Sequence, residues 1–185
     1  MRRAMNPSAM PRSCAPAMAQ PQLTREMPDI RRESPDQPAV RELLGALDRY
    51  LDGLYEPQHN HILSVEELLS AQVCFLVARQ QGRPVGCGAF LRRPGEAATA
   101  GQAYGEIKRM MVQPAARGAG VGAALLVRLE QLLADEGLEL ALLETGAAQV
   151  EAVRLYERAG YTRRAAFGGY PDNGLSLFFE KRLGR

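Results

Sequence analysis

Residues 117–122, Arg-Gly-Ala-Gly-Val-Gly, place a guanidinium beside three glycines. They follow the stretch EIKRMMV, which begins at Glu106, and they precede a run of leucines at helical spacing. At the start of a helix, free N–H groups and the positive end of the helix dipole attract anions, and glycine lets the backbone approach the ligand closely. The segment therefore predicts an anion site, of the kind that holds phosphate groups.

The elements that follow this loop must support it. A helix is predicted from residue 121 to about residue 136, where Gly137 ends it, because apolar side chains recur at helical spacing: Val121, Leu125, Leu129, Leu132 and Leu133. Residues 138–145 form a buried apolar run, and a strand reached through a helix is expected to pair in parallel with the strand before that helix. A helix at 149–159 and closing strands at 161–167 and 175–181 complete this half.

The first half of the chain predicts the rest of the sheet and two helices. Ser34-Pro35-Asp36 carries N-cap and first-turn chemistry for a helix that ends near Gly53, and Ser64 opens a short second helix with a capping-box pattern. Strands are predicted at 29–33, 73–79, 84–92 and 104–112, the second and third joined as a hairpin. The expected fold is α/β of the mixed (α+β) kind, a mostly antiparallel sheet of about six to seven strands flanked by about four helices, with one parallel βαβ crossover.

Length and charge limit the classes of function. At 185 residues the chain is long enough for one domain with a substantial core and short for two. A net charge of +2, from 23 basic and 21 acidic side chains, produces no strong field, so no nucleic-acid partner is expected. No run approaches the roughly 18 to 20 apolar residues that span a bilayer, so we expect a soluble protein without a membrane partner.

Residues 1–27 differ in composition from the rest. They are rich in Met, Pro, Ala and Gln and have no acid before Glu26, which predicts a disordered leader ahead of a domain at residues 28–185. Prolines interrupt any apolar segment of the length that export requires, so secretion is not expected. A start codon assigned too early, with Met18 or Met27 as the true start, is an alternative explanation.

The cysteines and histidines indicate neither a disulfide framework nor a metal site. Cys14, Cys74 and Cys87 show no CxxC spacing and no even count, which fits a reducing cytoplasm. Cys74 and Cys87 lie in apolar runs, where a thiol usually behaves as a small buried hydrophobe. His59 and His61 have no evident third ligand nearby, so no metal is expected.

Two motifs at their observed separation point to a family. R-x-x-G-x-G spans residues 117–122, and A-x-x-L-Y-x-x-x-G-Y spans residues 152–161. With these motifs the chain resembles, over roughly residues 28–183, the GNAT family of acetyl-CoA-dependent N-acetyltransferases. The resemblance implies the GNAT fold and transfer of an acetyl group from acetyl-CoA to a primary amine of a small molecule or peptide, by direct attack in a ternary complex.

The resemblance also implies where coenzyme A is held. The pyrophosphate would lie on the backbone amides of the glycine loop, and the pantetheine would run along residues 110–112 like an added strand. Arg117 would contact phosphate, although packing against the helix start is an alternative, and Gln149 stands where many members have Asn. The implied cofactor-binding residues are Met110, Met111, Val112, Arg117, Gly118, Ala119, Gly120, Val121, Gly122 and Gln149.

The implied chemistry is attack of an amine on a thioester. Because alkylamines are largely protonated at neutral pH, a base is needed, and Glu106 is the candidate; an ion pair with Lys108, on the same face of its strand, is the alternative. In this family the Tyr of the LY pair, here Tyr156, protonates the departing thiolate, although it could instead be a core aromatic on its helix. The backbone N–H of Met111 or Val112 would stabilise the oxyanion.

The acceptor site is expected near the variable N-terminal helices and the closing loops. This makes Tyr50, Tyr55, His59 and Tyr170 candidate substrate-binding residues. Residues 50–69 contain four acidic side chains and no Lys or Arg, which favours a cationic acceptor. A polyamine, an amino-terminal amine, a lysine side chain and an amine-bearing antibiotic remain alternatives, and the protein is expected to be a monomer or a homodimer.

Two other classes of function compete with this interpretation. Gly118-x-Gly120-x-x-Ala123, followed by Glu144, formally matches a dinucleotide fingerprint, but five residues separate the strand from the first glycine, whereas that fingerprint turns almost at the strand end. The second alternative is a non-catalytic acyl-CoA-binding sensor or regulatory module. The presence of both Glu106 and Tyr156 favours an enzyme.

Overall fold

The computed structural model describes residues 27–56, 62–172 and 174–184. The predicted leader lies outside this part, apart from residue 27, and so do His59 and His61. In the described part, strands and helices follow one another in the predicted order. They are β1 (Asp29–Arg32), α1 (Pro38–Asp52), α2 (Val65–Leu68), β2 (Val73–Gln80), β3 (Arg83–Arg93), β4 (Tyr104–Val112), α3 (Val121–Asp135), β5 (Leu140–Gly146), α4 (Val150–Arg158), β6 (Thr162–Arg164) and β7 (Ser176–Arg182).

The strands form one sheet with the order β1-β2-β3-β4-β5-β7-β6. Neighbouring strands are antiparallel except β4 and β5, which are parallel and are connected through α3. This confirms the predicted mixed, mostly antiparallel sheet with a single parallel crossover.

Helices cover both faces of the sheet. The apolar side of α1 packs on the face that contains Phe75 and Val77 of β2, and α3 packs on the opposite face, which contains Leu76 and Ala78. Successive residues of a strand point to opposite faces of the sheet. Because helices cover both faces here, side chains of β2 are buried on both sides, which explains its continuous run of apolar residues. No helix in the described ranges is long and apolar enough to cross a membrane.

Two cysteines lie in these layers, Cys74 under α3 and Cys87 under α1. Both are buried and free, and burial raises the pKa of both thiols, that of Cys87 to about 12. Since the thiolate is the reactive form, neither side chain is suited to nucleophilic chemistry at neutral pH.

The parallel strands β4 and β5 pair only over a short stretch and then separate. Their last pair is Ile107 with Leu143, although β4 continues to Val112 and β5 to Gly146. The pairing of β3 with β4 shifts register near Arg109, whose φ is +56°. A bulge adds one residue to a strand and bends it, so β4 turns away from β5 and a cleft opens between their carboxyl-terminal ends.

Side-chain contacts hold Arg109 in this bulge. Its Nη1 lies 2.5 Å from Oδ1 of Asp48 on α1, and its side chain is only 4% exposed. Its carbonyl oxygen accepts a hydrogen bond of 3.4 Å from the Cys87 thiol. The helix α1 is thereby tied to the point where the sheet splits.

The start of α1 differs from the prediction. The helix begins at Pro38, with Gln37 as the N-cap, and the Gln37 side chain makes no capping hydrogen bond to this helix. The Ser34 hydroxyl instead accepts a hydrogen bond of 3.1 Å from the Asp36 N–H, and so closes a turn before the helix. Both Pro35 and Pro38 suit a first helical turn, and local sequence alone did not distinguish them.

The strand predicted at residues 161–167 is shorter, spanning only β6. Tyr161, the first residue of the predicted strand, belongs instead to the end of α4. Its N–H donates to the Tyr156 carbonyl across Gly160, whose φ is +88°. At the other end Phe167 leaves the sheet and packs edge-on against Tyr104 at 5.7 Å between ring centroids. Helix termination and aromatic packing therefore limit the strand from both ends.

Candidate active site

The larger cleft, of about 780 Å³, lies beside the last residues of β4 and the start of α3. Nine of the predicted cofactor-binding residues line it: Met110, Met111, Val112, Arg117, Gly118, Gly120, Val121, Gly122 and Gln149. Ala119 lies between two of these residues in the loop but is not among the lining residues. The structure thus brings the glycine loop and the predicted pantetheine strand to one cleft.

The glycine loop leaves its backbone open to a ligand. Gly118 and Gly120 have φ of +76° and +81°, conformations that other residues rarely adopt, and a Cβ at either position would contact nothing within 4 Å. Gly120 is the N-cap of α3, and no side chain caps the first N–H groups of this helix. Unsatisfied N–H groups at a 15-residue helix start fit the pyrophosphate of coenzyme A.

Arg117 stands at the head of this loop. Its Nε donates to the carbonyl of Val112 at 3.2 Å, and its Nη1 lies 3.1 Å from Glu151 of α4. Glu151 is 79% exposed, and surface ion pairs of this kind contribute little, about 0 to 1 kcal/mol. The guanidinium can therefore exchange this partner for a phosphate at small cost.

A smaller cavity, of about 110 Å³, opens where β4 and β5 separate. Charged and polar lining residues come from both strands and from β7, among them Lys108, Glu144 and Ser176. Tyr156 lines this cavity and the larger cleft, as do Met110 and Gln149. The two spaces meet at the Tyr156 side chain.

Tyr156 is held by aromatic packing at this junction. It is 5% exposed, and its ring packs against Tyr161 and Phe179 at 5.8 and 6.2 Å between centroids. Burial, with a smaller contribution from the negative charge of Glu144, raises the pKa of the Tyr156 hydroxyl above its usual value. The phenol therefore stays protonated, and able to donate, throughout the neutral range.

Glu106 lies in a buried cluster and lines neither space. Its carboxylate is 1% exposed and lies 3.3 Å from both Arg93 Nε and Lys108 Nζ. The hydroxyl of Tyr170 donates to Glu106 and accepts a hydrogen bond of 2.5 Å from Lys108 Nζ. Glu106 is connected to the smaller cavity through Lys108, and the contact with Lys108 expected from the sequence is present.

The three tyrosines predicted for the acceptor site do not lie together in the structure. Tyr55 lines the smaller cavity, where its hydroxyl accepts a hydrogen bond of 3.1 Å from the Ala148 N–H. Tyr50 lines the larger cleft instead. Tyr170 lines neither and binds Glu106, and the fourth candidate, His59, lies outside the described residues.

Sequence reasoning missed Glu144 and Ser176 as parts of the site. The Ser176 hydroxyl donates to Glu144 at 2.5 Å, and Glu144 projects into the smaller cavity. A single carboxylate inside the apolar run ALLETG was the available signal, because a charge in a buried strand is costly without a role. Ser176 carries no comparable signal, since it meets Glu144 only through the pairing of β5 with β7.

An anion-binding helix start beside split parallel strands, with a phenol between two cavities, is an arrangement that suits an acyl-coenzyme A-dependent transferase. The chain belongs to the acetyltransferase (GNAT) family, whose sequence profile matches residues 38–161. It is 46% identical over 154 residues to IAA acetyltransferase of Azospirillum brasilense, covering 83% of this chain and 97% of that protein.

Solved structures agree with this membership. A Klebsiella pneumoniae protein assigned as an acyl-CoA N-acyltransferase superimposes with a TM-score of 0.68 at 34% identity, covering 85% of this chain and 99% of that one. PaiA N-acetyltransferase of Thermoplasma acidophilum, solved with coenzyme A, shares the fold with a TM-score of 0.64 at 17% identity over 85% of this chain and 99% of its own. The chain is therefore an acyltransferase enzyme that uses acetyl-CoA, as the two motifs predicted, rather than a non-catalytic sensor.

Proposed function

We propose that the protein transfers an acetyl group to the primary amine of a small molecule, by direct attack in a ternary complex. The observation that carries the proposal is the position of Tyr156, which lines the cofactor cleft and the smaller cavity together. The smaller cavity, at about 110 Å³, suits a compact acceptor better than a peptide. Acetyl-CoA supplies the thioester-activated acetyl group.

Three parts of the chain would share the chemistry. Tyr156, protonated and buried, would donate to the departing sulfur. The backbone N–H of Met111 or Val112, both lining the larger cleft, would stabilise negative charge that develops on the carbonyl oxygen. The loop at residues 117–122 would fix the cofactor by its pyrophosphate.

The test of this function is a screen of primary amines with the full chain and acetyl-CoA, in which thiol release is followed and the acetylated product is identified by mass. Turnover that yields an N-acetyl product supports the proposal. Thiol release without an acetylated amine, or no release with any amine, would contradict it. We further propose a cytoplasmic enzyme that acts as a monomer or homodimer.

The substitution Glu106→Gln tests the proposed base. If Glu106 acts as the base for the amine, the change should lower kcat by about 10²-fold or more. Glu130→Gln is the control, because Glu130 pairs with Lys181 and lines neither space. A kcat equal to that of the wild type would leave Glu106 as the structural partner of Lys108 and Arg93.

The substitution Gly146→Ala tests the role of Tyr55. A Cβ at Gly146 would lie 1.9 Å from the Tyr55 hydroxyl, so the tyrosine must move. With the best amine from the screen, we expect the acceptor KM to rise about 10-fold or more, since small displacements in a site have large effects on rate. Acetyl-CoA affinity, measured by calorimetry, should not change.

The control for this change is Gly45→Ala on α1, where a Cβ would meet its nearest atom, the Arg49 guanidinium, at an ordinary 3.4 Å. This control should leave both constants unchanged. An acceptor KM equal to the wild-type value in Gly146→Ala would remove Tyr55 from the acceptor site.

A further inference from the structure

Lys108 and Glu144 are the first residues of β4 and β5 beyond the point where the strands separate. The last parallel pair is Ile107 with Leu143, and the next residue on each strand is charged, with opposite sign. Residues in register on parallel strands point to the same face of the sheet, and both side chains line the smaller cavity. The cavity therefore carries a cation on one wall and an anion on the other.

The two charges do not form an ion pair with each other. Within the described ranges no ion pair joins Lys108 to Glu144, and no Lys, Arg or His forms an ion pair with Glu144. Glu144 accepts a hydrogen bond from Ser176, which fixes its position but supplies no charge. A partly buried carboxylate in this state favours a cationic ligand, such as an ammonium group.

On the opposite wall positive charge is in excess. Arg93 and Lys108 both contact the single carboxylate of Glu106, each at 3.3 Å, so these three side chains carry a net charge of +1. Tyr170 adds no negative charge, because burial and the neighbouring Glu106 raise the pKa of its hydroxyl. The end of the cavity at Lys108 therefore favours an anion.

Of the other charged side chains in the lining, that of Arg109 is paired within the protein. Arg109 also faces the cavity, but its guanidinium is paired with Asp48 at 2.5 Å. None of the acidic side chains at residues 50–69, which favoured a purely cationic acceptor, lines this space. Apolar side chains make up much of the remaining wall: Leu47, Leu51, Ile62, Ile107 and Leu175.

We propose that the acceptor is a zwitterion, an amino acid whose ammonium group binds Glu144 and whose carboxylate binds Lys108. This inference rests on the proposed acetyl transfer and names its substrate class. The net reaction forms one N–C bond to the acetyl group and breaks the C–S bond of the thioester. Of the two protons that the ammonium loses, one ends on the sulfur and one is released.

The experiment compares three matched compounds for each of several apolar side chains: the amino acid, its methyl ester, and the corresponding amine without the carboxyl group. For leucine these are L-leucine, L-leucine methyl ester and isopentylamine. Values of kcat/KM are measured with the full chain and acetyl-CoA and are corrected for the fraction of free amine. The wild type should favour the amino acid over both analogues by about 10-fold or more, because analogues that leave a polar partner unmatched are rejected.

Substitutions of Lys108 and Glu144 test which of the two residues produces this preference. Lys108→Met should bring the ratio of amino acid to ester close to one, and Lys108→Arg should retain the preference. Lys181→Met is the matched control, since it removes the only other lysine, which lines neither space. Glu144→Gln should lower kcat/KM for all three compounds by a similar factor and leave the ratio unchanged.

The possible failures are distinguishable. Equal wild-type rates with the amino acid, the ester and the amine would overturn the zwitterion inference and leave the proposed acetyl transfer standing. A preference for the amino acid that survives in Lys108→Met would also overturn it. Absence of turnover with every compound of every series, together with no turnover in the wider amine screen, would overturn both proposals.

Discussion

Gly120→Asp should abolish acetyl-CoA binding while the protein remains folded. Gly120 is the N-cap of α3 at φ +81°, and a Cβ there meets no atom within 4 Å, so the new side chain fits sterically. Aspartate in a left-handed conformation costs about 1 to 2 kcal/mol. Relative to glycine, an aspartate N-cap returns only a few tenths of a kcal/mol, so the variant should lose roughly 1 to 2 kcal/mol of stability and still fold.

The same carboxylate would oppose the cofactor. It would occupy the N–H groups that the pyrophosphate needs and would place a negative charge at the positive end of the helix, where the phosphate has to bind. We expect the dissociation constant for acetyl-CoA, measured by calorimetry, to rise about 100-fold or more, in line with the loss of roughly 3 kcal/mol. Unchanged affinity would show that the loop is not the cofactor site.

Gly137→Asp provides a control on the same helix. Gly137 follows the last turn of α3 at φ +77°, and a Cβ there also meets nothing within 4 Å. An acidic group at this end faces the negative end of the dipole, so this variant should lose more thermal stability than Gly120→Asp and keep its affinity for acetyl-CoA. If Gly120→Asp loses acetyl-CoA affinity and Gly137→Asp loses mainly thermal stability, the loss of binding in Gly120→Asp cannot be attributed to unfolding.

The parts of the fold that local sequence determines were predictable. The glycine loop, the capping box at Ser64 and the helix end at Gly53 each depend on a few adjacent residues, and the structure contains all three. In the capping box the Ser64 hydroxyl accepts from the Glu67 N–H, and the Glu67 carboxylate accepts from the Ser64 N–H at 2.7 Å. Such short-range hydrogen bonds leave a direct pattern in the sequence.

The split between β4 and β5 was not predictable in this way. It depends on the bulge at Arg109, which is held by Asp48, 61 positions away in the chain. The sequence indicates Lys108 only as a partner of Glu106, and it marks Glu144 only by its spacing after the glycine loop. Their shared place in one cavity follows from strand register, which alternating apolar residues do not specify for a strand buried on both faces.

Tyr156→Phe should lower kcat by about 10²-fold or more, the usual contribution of a positioned acid. The change keeps the ring, which packs against Tyr161 and Phe179, and removes only the hydroxyl. The Tyr156 side chain lines both cavities and its ring packing is kept, so loss of the hydroxyl should cost little stability. Affinity for acetyl-CoA should remain close to the wild-type value, because the residues proposed to hold the pyrophosphate and pantetheine lie elsewhere in the cleft.

The pH dependence gives a second measurement on the same residue. Because burial and Glu144 raise the pKa of Tyr156 above its ordinary value of 10, the hydroxyl should remain protonated and wild-type kcat should show no alkaline decline from it below about pH 10. Tyr161→Phe is the matched control, since it makes the same chemical change in a neighbouring ring that lines neither cavity. If Tyr156→Phe retained near-wild-type kcat while this control behaved alike, the phenol would be a packing residue, and the leaving sulfur would depart without a proton donor from α4.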